Sequence, residues 1–308
     1  MHLNASKVEK IPALLFSSFM ETSDKRLLGI VKNVRKHNFQ KGTVIFLQGI
    51  ADSSERYKNL FSKLVDRGFS YASFDWYGQG ASTPSDEKER ETAQRTFDIN
   101  RHIGDLEEFL DKIVYADCPP PYYFLGYDIG CLIAISSIDI INNQCNRFLG
   151  ISPFFSPLGH KIGGFEHKIS EMMNDFGLGH MKLRQGKSIF QSYDFNKGYS
   201  DSGDHKEEVF AVLDRRWLAH VFDTAIYARE RLEKNDLRFP ALFVTGHNDR
   251  LTDASEVRRF CHNVRLADTI TLIGAGHDLL NDKENYQKQF WALFDAFIPG
   301  TNAYEINH

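Results

Sequence analysis

Three short segments carry the residues that could do chemistry: GYDIG (126–130), TGHNDRLTD (245–253) and GAGHDLLND (274–282). Each follows a short apolar run and so falls on a loop at the end of an expected strand. The first frames Asp128 between Gly126 and Gly130, a spacing that lets a tight strand-to-helix turn present one side chain at its tip. The second offers Asp249 and the third His277. In chain order these are a turn-tip group, a carboxylate and an imidazole, the set that hydrolysis by a triad needs. The imidazole moves a proton, and the carboxylate fixes its tautomer and balances its charge. Asp253 and Asp278 are rivals for the carboxylate, but the order strand, Gly, two residues, Asp favours Asp249.

These loops need a scaffold, and the rest of the chain supplies one. TVIFLQG (43–49), SYASFDW (70–76), YYFLG (122–126), RFLGIS (147–152), PALFVTG (240–246) and TITLIG (269–274) read as short buried strands. Between them lie helical patterns. SSERYKNLFSKLVDRG (53–68) has Tyr57, Leu60, Phe61 and Leu64 on one face, Ser53 or Ser54 as its cap and Gly68 as its stop. TFDINRHIGDLEEFLDKIV (96–114), IGCLIAISSIDII (129–141), ASEVRRFCHNV (254–264) and ENYQKQFWALFDAFI (284–298) follow the same logic. An antiparallel hairpin is expected from ALLFSSFMET (13–22) and RLLGIVKNV (26–34). Alternating strands and helices predict an α/β fold with a mostly parallel sheet covered on both faces.

Residues 153–239 break the alternation: they show no clear buried strand and are rich in Met, Phe and charge. An insertion there, over the carboxyl ends of the strands, would form a helical cap between core halves 1–152 and 240–308. Phe165, Met172, Met173, Phe176, Leu178 and Met181 could line an acyl-chain pocket or pack the cap itself. The run SDSGDHKEE (201–209) reads as a solvated loop.

The composition is that of an ordinary globular protein: 42% hydrophobic, 25% charged, net charge -4 over 308 residues. No basic footprint marks a nucleic-acid partner. Four scattered cysteines without a C-x-x-C pair offer neither zinc spacing nor a disulfide framework, which favours a reducing, cytoplasmic setting. No metal or cofactor is implied. The apolar run near the start is broken by Ser17 and Ser18 and is not read as a signal peptide, and no stretch is long enough for a membrane span. Peripheral contact with the inner face of a membrane is compatible with all of this, and the oligomeric state is left open.

The motifs together resemble the α/β-hydrolases of the monoacylglycerol lipase and bacterial lysophospholipase group. The resemblance runs over roughly residues 20–300 and rests on Gln48-Gly49-Ile50, DSSERY (52–57), DWYGQGAS (75–82) and VYADCPPPYYFLGYDIGCLIAIS. It implies an α/β-hydrolase fold, a small-molecule apolar or lipid ester as substrate, Asp128, Asp249 and His277 as the site, and backbone N–H groups of Ile50 and Ile129 as an oxyanion hole. Two positions depart from the group's pattern: Asp128 stands where it has serine, and Gln48 where it has histidine.

The first departure leaves three readings. A carboxylate is a poor attacker of ester carbonyls, because the product is a mixed anhydride and the leaving group a poor alkoxide. An ester hydrolase with altered catalysis would instead use His277 or Asp128 as general base for a water. Alternatively, Asp128 is inert on a binding scaffold; aspartate tolerates the positive φ of such a turn better than most residues do. Thirdly, Asp128 attacks saturated carbon, as in related epoxide hydrolases and haloalkane dehalogenases. That reading lacks a tryptophan after the aspartate, where Ile129 stands, and would take its cap tyrosines from Tyr193, Tyr199 or Tyr227.

Overall fold

The computed structural model describes residues 18–34, 40–49, 52–156, 168, 172, 215–234, 237–262 and 264–298. Among these, eight strands form one sheet: β1 (Ser18–Glu21), β2 (Leu27–Asn33), β3 (Thr43–Leu47), β4 (Ser70–Phe74), β5 (Tyr122–Tyr127), β6 (Cys145–Ile151), β7 (Ala241–Gly246) and β8 (Ala267–Leu272). Their spatial order is β1-β2-β4-β3-β5-β6-β7-β8. The β1–β2 hairpin joins antiparallel to β4, and every pair from β4 to β8 is parallel. Strands β3, β4, β5 and β7 are buried along their whole length, which is why they read as continuous apolar runs without alternation.

Helices cover both faces. On one, α1 (Lys58–Asp66) and α7 (Glu284–Phe297) press Leu60, Phe61, Leu64, Phe290 and Phe294 onto Val44, Phe46 and Leu125. On the other lie α3 (Ile99–Phe109), α4 (Ile129–Ser136), α5 (Arg215–Glu233) and α6 (Ala254–Cys261), over Ile45, Phe124, Phe148 and Phe243. Every residue of α4 is buried, so the helix is apolar all round and has no solvent face to keep polar. Cutting Leu132 or Ile133 to alanine would cost about 2–5 kcal/mol.

The start of α1 differs from the expected serine cap. The chain first forms a 3-10 turn (Ser54–Tyr57), and the Ser53 side chain makes no capping bond. Aspartates take over: Ser53 N–H donates to Asp52 Oδ1 at 2.8 Å and Ser54 N–H to Asp75 Oδ1 at 2.7 Å. A further helix, α2 (Glu87–Arg95), has no counterpart in the sequence reading, because Ala93 alone gives it a buried apolar contact. It is capped by Asp86, which accepts from Glu89 N–H.

Within the expected cap, the described residues are 153–156, Lys168, Met172, 215–234 and 237–239. Helix α5 packs Val221, Phe222, Ala225 and Ala228 into the core beside α4. Met172 and Tyr227 are exposed. Phe165, Met173, Phe176, Leu178, Met181, Tyr193, Tyr199 and 201–209 lie outside the described residues.

Candidate active site

The chain leaves β3 toward β4 and leaves β5 toward β6, so connections depart from these neighbouring strands in opposite directions and a crevice opens at their carboxyl ends. Asp128 stands there, between β5 and α4, with φ 53° and ψ -120°. Its amide donates to Ile151 O at 3.0 Å and its carbonyl accepts from Cys131 and Phe154 N–H at 3.1 and 3.2 Å, which hold this strained turn in place. The β3 loop comes close: a Cβ on Gly49 would stand 3.0 Å from Asp128 Oδ2. Ile129 opens α4, and N–H groups in a helix's first turn have no carbonyl partner within the helix. Ile50, the other expected oxyanion donor, lies outside the described residues.

The loops after β7 and β8 bring Asp249 and His277 to the same crevice. His277 Nδ1 lies 2.8 Å from Asp249 Oδ2, and its Nε2 lies 3.6 Å from Asp128 Oδ1. Asp249 is fixed in turn by the N–H groups of Leu251 and Thr252 at 2.7 and 3.0 Å and by the Thr252 hydroxyl at 2.7 Å. The two loops touch where Gly246 leaves β7; a Cβ there would come within 2.0 Å of Gly276 O. The rival carboxylates are used elsewhere. Asp253 caps α6 through Ser255 N–H, and Asp278 pairs with Arg56 at 3.0 Å.

Electrostatically, this is an imidazole held between two carboxylates. Burial pulls the His277 pKa down, but the charge of Asp249, its hydrogen bond with His277 and the nearby Asp128 carboxylate outweigh it and raise it to about 10. For Asp249, burial favours the neutral acid, yet His277 and Thr252 hold its pKa below the usual carboxylate value. At neutral pH that shift favours imidazolium over the neutral ring.

Polar side chains lace the neighbouring loops. The Gln48 amide donates to Asp52 O at 3.4 Å and accepts from the Ser54 hydroxyl at 3.2 Å. Arg56 spans two loops, reaching Asp52 at 3.0 Å on one side and Asp278 on the other. Asp52 is buried, which raises its pKa to about 6 against the pull of Arg56 and the Tyr57 hydroxyl. Ser152, just past β6, donates to the His277 carbonyl at 2.5 Å. Neither Arg56 nor Ser152 was marked by the sequence as a partner of the His277 loop, since nothing in spacing links positions 125 or more residues apart.

Against known proteins, the sequence profile of the family described as serine aminopeptidase, S33, matches residues 39–284. The chain belongs to that family, within the α/β-hydrolase superfamily. No curated protein sequence matches the chain. Among solved structures, the fold is similar to a soluble variant of monoglyceride lipase from Saccharomyces cerevisiae in complex with a substrate analog, with TM-score 0.72, 15% identity and coverage of 96% of this chain and 97% of that one. A monoacylglycerol lipase of Paleococcus ferrophilus gives TM-score 0.67 at 18% identity, over 88% of this chain and 98% of that one. A thermostable carboxyl esterase from Bacillus coagulans, in complex with glycerol, gives 0.66 at 15%, over 92% and 98%. At such identities the likeness is one of fold.

Among the described residues no cluster of His, Cys, Asp and Glu has the makings of a metal site, and no helix is long and apolar enough to cross a membrane. A groove of about 390 Å³ lined by Arg26, Tyr77, Lys88, Glu89 and Arg101 includes none of Asp128, Asp249 and His277.

Proposed function

We propose that this family member hydrolyses lipid-type carboxylic esters, as its resemblance to lysophospholipases and monoacylglycerol lipases suggests, with Asp128 where those enzymes have serine. One observation carries the mechanism: His277 lies between two carboxylates, 2.8 Å from Asp249 and 3.6 Å from Asp128, which favours its protonated form at neutral pH. A protonated imidazole cannot serve as base, so that role falls to Asp128 and the acid's role to His277.

In this reading Asp128 takes a proton from a water whose oxygen attacks the ester carbonyl. The oxyanion forms against the Ile129 N–H and, by resemblance, that of Ile50. The bond to the leaving alcohol then breaks as His277 protonates its oxygen. The proton on Asp128 passes to His277, and the starting charges return. Water and ester are consumed, acid and alcohol released. The segment 153–239 would roof the site and accept the acyl chain, and peripheral contact with a membrane would deliver it. A reducing compartment suits the free, buried cysteines.

The same geometry favours a second reading, attack by the Asp128 carboxylate on saturated carbon. Alkylation would remove the charge facing His277 Nε2, lower its pKa and free it to activate water.

Turnover in ¹⁸O-water separates the readings. Monoacylglycerol and lysophospholipid, an epoxide and a haloalkane are each offered to the protein, and products and peptides are weighed by mass spectrometry. Label in the released fatty acid with none in Asp128 is the expected result. Label in the Asp128 carboxylate would move the assignment to attack at carbon, and no turnover of any substrate would leave a binding protein on a hydrolase scaffold.

A further inference from the structure

The loop that carries His277 is held at three consecutive residues. Gly276 N–H donates to Asp282 Oδ2 at 2.8 Å, the His277 carbonyl accepts from Ser152 Oγ at 2.5 Å, and Asp278 Oδ2 accepts from Arg56 Nη2 at 3.0 Å. The first contact is local to the loop. The second bears on His277 itself and comes from another strand end.

We propose that Ser152 is a positioning residue for His277, its hydroxyl fixing the backbone from which the imidazole reaches between Asp128 and Asp249. The proposal rests on reading those three residues as the reacting site.

Four features support it. Ser152 is fully buried, so no solvent competes for its hydroxyl. Its φ of 44° is in the left-handed region, where glycine would sit without cost and a side chain is uncommon. Its amide donates to Val244 O at 2.8 Å, which ties it to β7, the strand leading to Asp249. One residue thus links the strand that delivers the carboxylate to the loop that delivers the imidazole. Finally, the His277 carbonyl has a second, purely local donor in Leu279 N–H at 3.0 Å, so Ser152 is not needed to satisfy that oxygen. What the hydroxyl adds is a fixed point outside the loop.

The precision matters because the two imidazole contacts differ. The Nδ1 contact, at 2.8 Å, is a full hydrogen bond, whereas Nε2 stands 3.6 Å from Asp128. A shift of a few tenths of an ångström in the loop changes both.

The test uses the full chain carrying Ser152→Gly or Ser152→Ala. Glycine relieves the backbone while removing the hydroxyl, so that variant keeps its fold even if the alanine variant does not. Imidazole NMR follows His277 through pH, and thermal unfolding and monoacylglycerol hydrolysis are measured alongside. Both variants are expected to lower the His277 midpoint by about one pH unit and broaden its Nδ1–H signal, and hydrolysis is expected to fall about tenfold. An unchanged His277 midpoint and line width in folded Ser152→Gly overturns the proposal. If the unaltered protein hydrolyses nothing, the functional reading fails, while the titration still decides the role of Ser152.

Discussion

Nε2 of His277 stands 3.6 Å from Oδ1 of Asp128, beyond hydrogen-bond length and well within the reach of its charge. With Asp249 on the other nitrogen, the ring lies between two carboxylates, an arrangement that favours its cationic form. A serine at the turn would leave the ring one carboxylate and a lower pKa; an aspartate stores a proton on it.

A direct expectation is that His277 titrates near 10. Its folded pKa lies above the unfolded value of about 6.5, so its contribution to stability is complete below about pH 6.5. That contribution fades as pH rises through the folded value. Asp249 behaves in the opposite sense: its depressed pKa gives stability present above about pH 4 and lost on further acidification. Urea unfolding followed from pH 3 to pH 11 should therefore show its highest midpoint between about 4 and 6.5, with a loss of several kcal/mol on the alkaline side. A His277 resonance titrating at 6.5 would contradict it.

Asp249→Asn should damage the fold as well as the site. The carboxylate accepts from Leu251, from two groups of Thr252 and from His277, and it is buried. An amide can place only one oxygen among these donors and turns an NH2 toward another. Breaking one side of a buried ion pair costs about 3–5 kcal/mol. Chemical denaturation should show that loss, and the His277 midpoint should fall while staying above 6.5, because Asp128 remains.

Gly246→Ala tests how closely the carboxylate and imidazole loops must approach. The added Cβ would meet Gly276 O at 2.0 Å and Ala275 O at 2.6 Å, both backbone atoms that cannot swing aside. The His277 loop must move as a unit. A destabilisation of about 1–3 kcal/mol is expected, with loss of the downfield signal from the Nδ1–H bonded to Asp249. A variant with both unchanged would mean the loops are looser than their contacts indicate.

What the sequence made legible follows from how each feature is encoded. The buried strands announced themselves because a parallel sheet covered on both faces needs unbroken apolar runs, as in β3 and β5. That Asp128, Asp249 and His277 would meet at one sheet edge was legible because each follows such a run and is framed by glycine or polar residues. Ser152 was not, since a serine after a strand looks like any other, and its meaning lies in a carbonyl 125 residues away. Arg56 and Asp278 are likewise joined only by the fold, across 222 residues. Helix α2 was missed because it is polar on nearly every side and is held by its Asp86 cap and the loop chemistry around Tyr77.

The last prediction turns on Asp128, one of the two positions read from the sequence as departing from the pattern of the resembled group. Asp128→Ser should create or raise short-chain ester hydrolysis. The turn is already held by bonds from its own backbone to Ile151, Cys131 and Phe154, none of which needs the carboxylate. His277 keeps its bond to Asp249, and loss of the Asp128 charge lowers its pKa toward the range where it can act as base. The serine hydroxyl would then replace water as attacker, and the negative charge that repels a developing oxyanion is gone. Oxyanion stabilisation alone is typically worth ~3–4 kcal/mol, so a gain of about a hundredfold is within reach of one substitution. Asp128→Asn is the control: it removes the charge and lowers the His277 midpoint in the same way, but supplies no attacking hydroxyl, and should be silent. If folded Asp128→Ser is as silent as Asp128→Asn on p-nitrophenyl esters, the oxyanion loop around Gln48 no longer supports acyl chemistry, and the assignment of this site to ester hydrolysis falls with it.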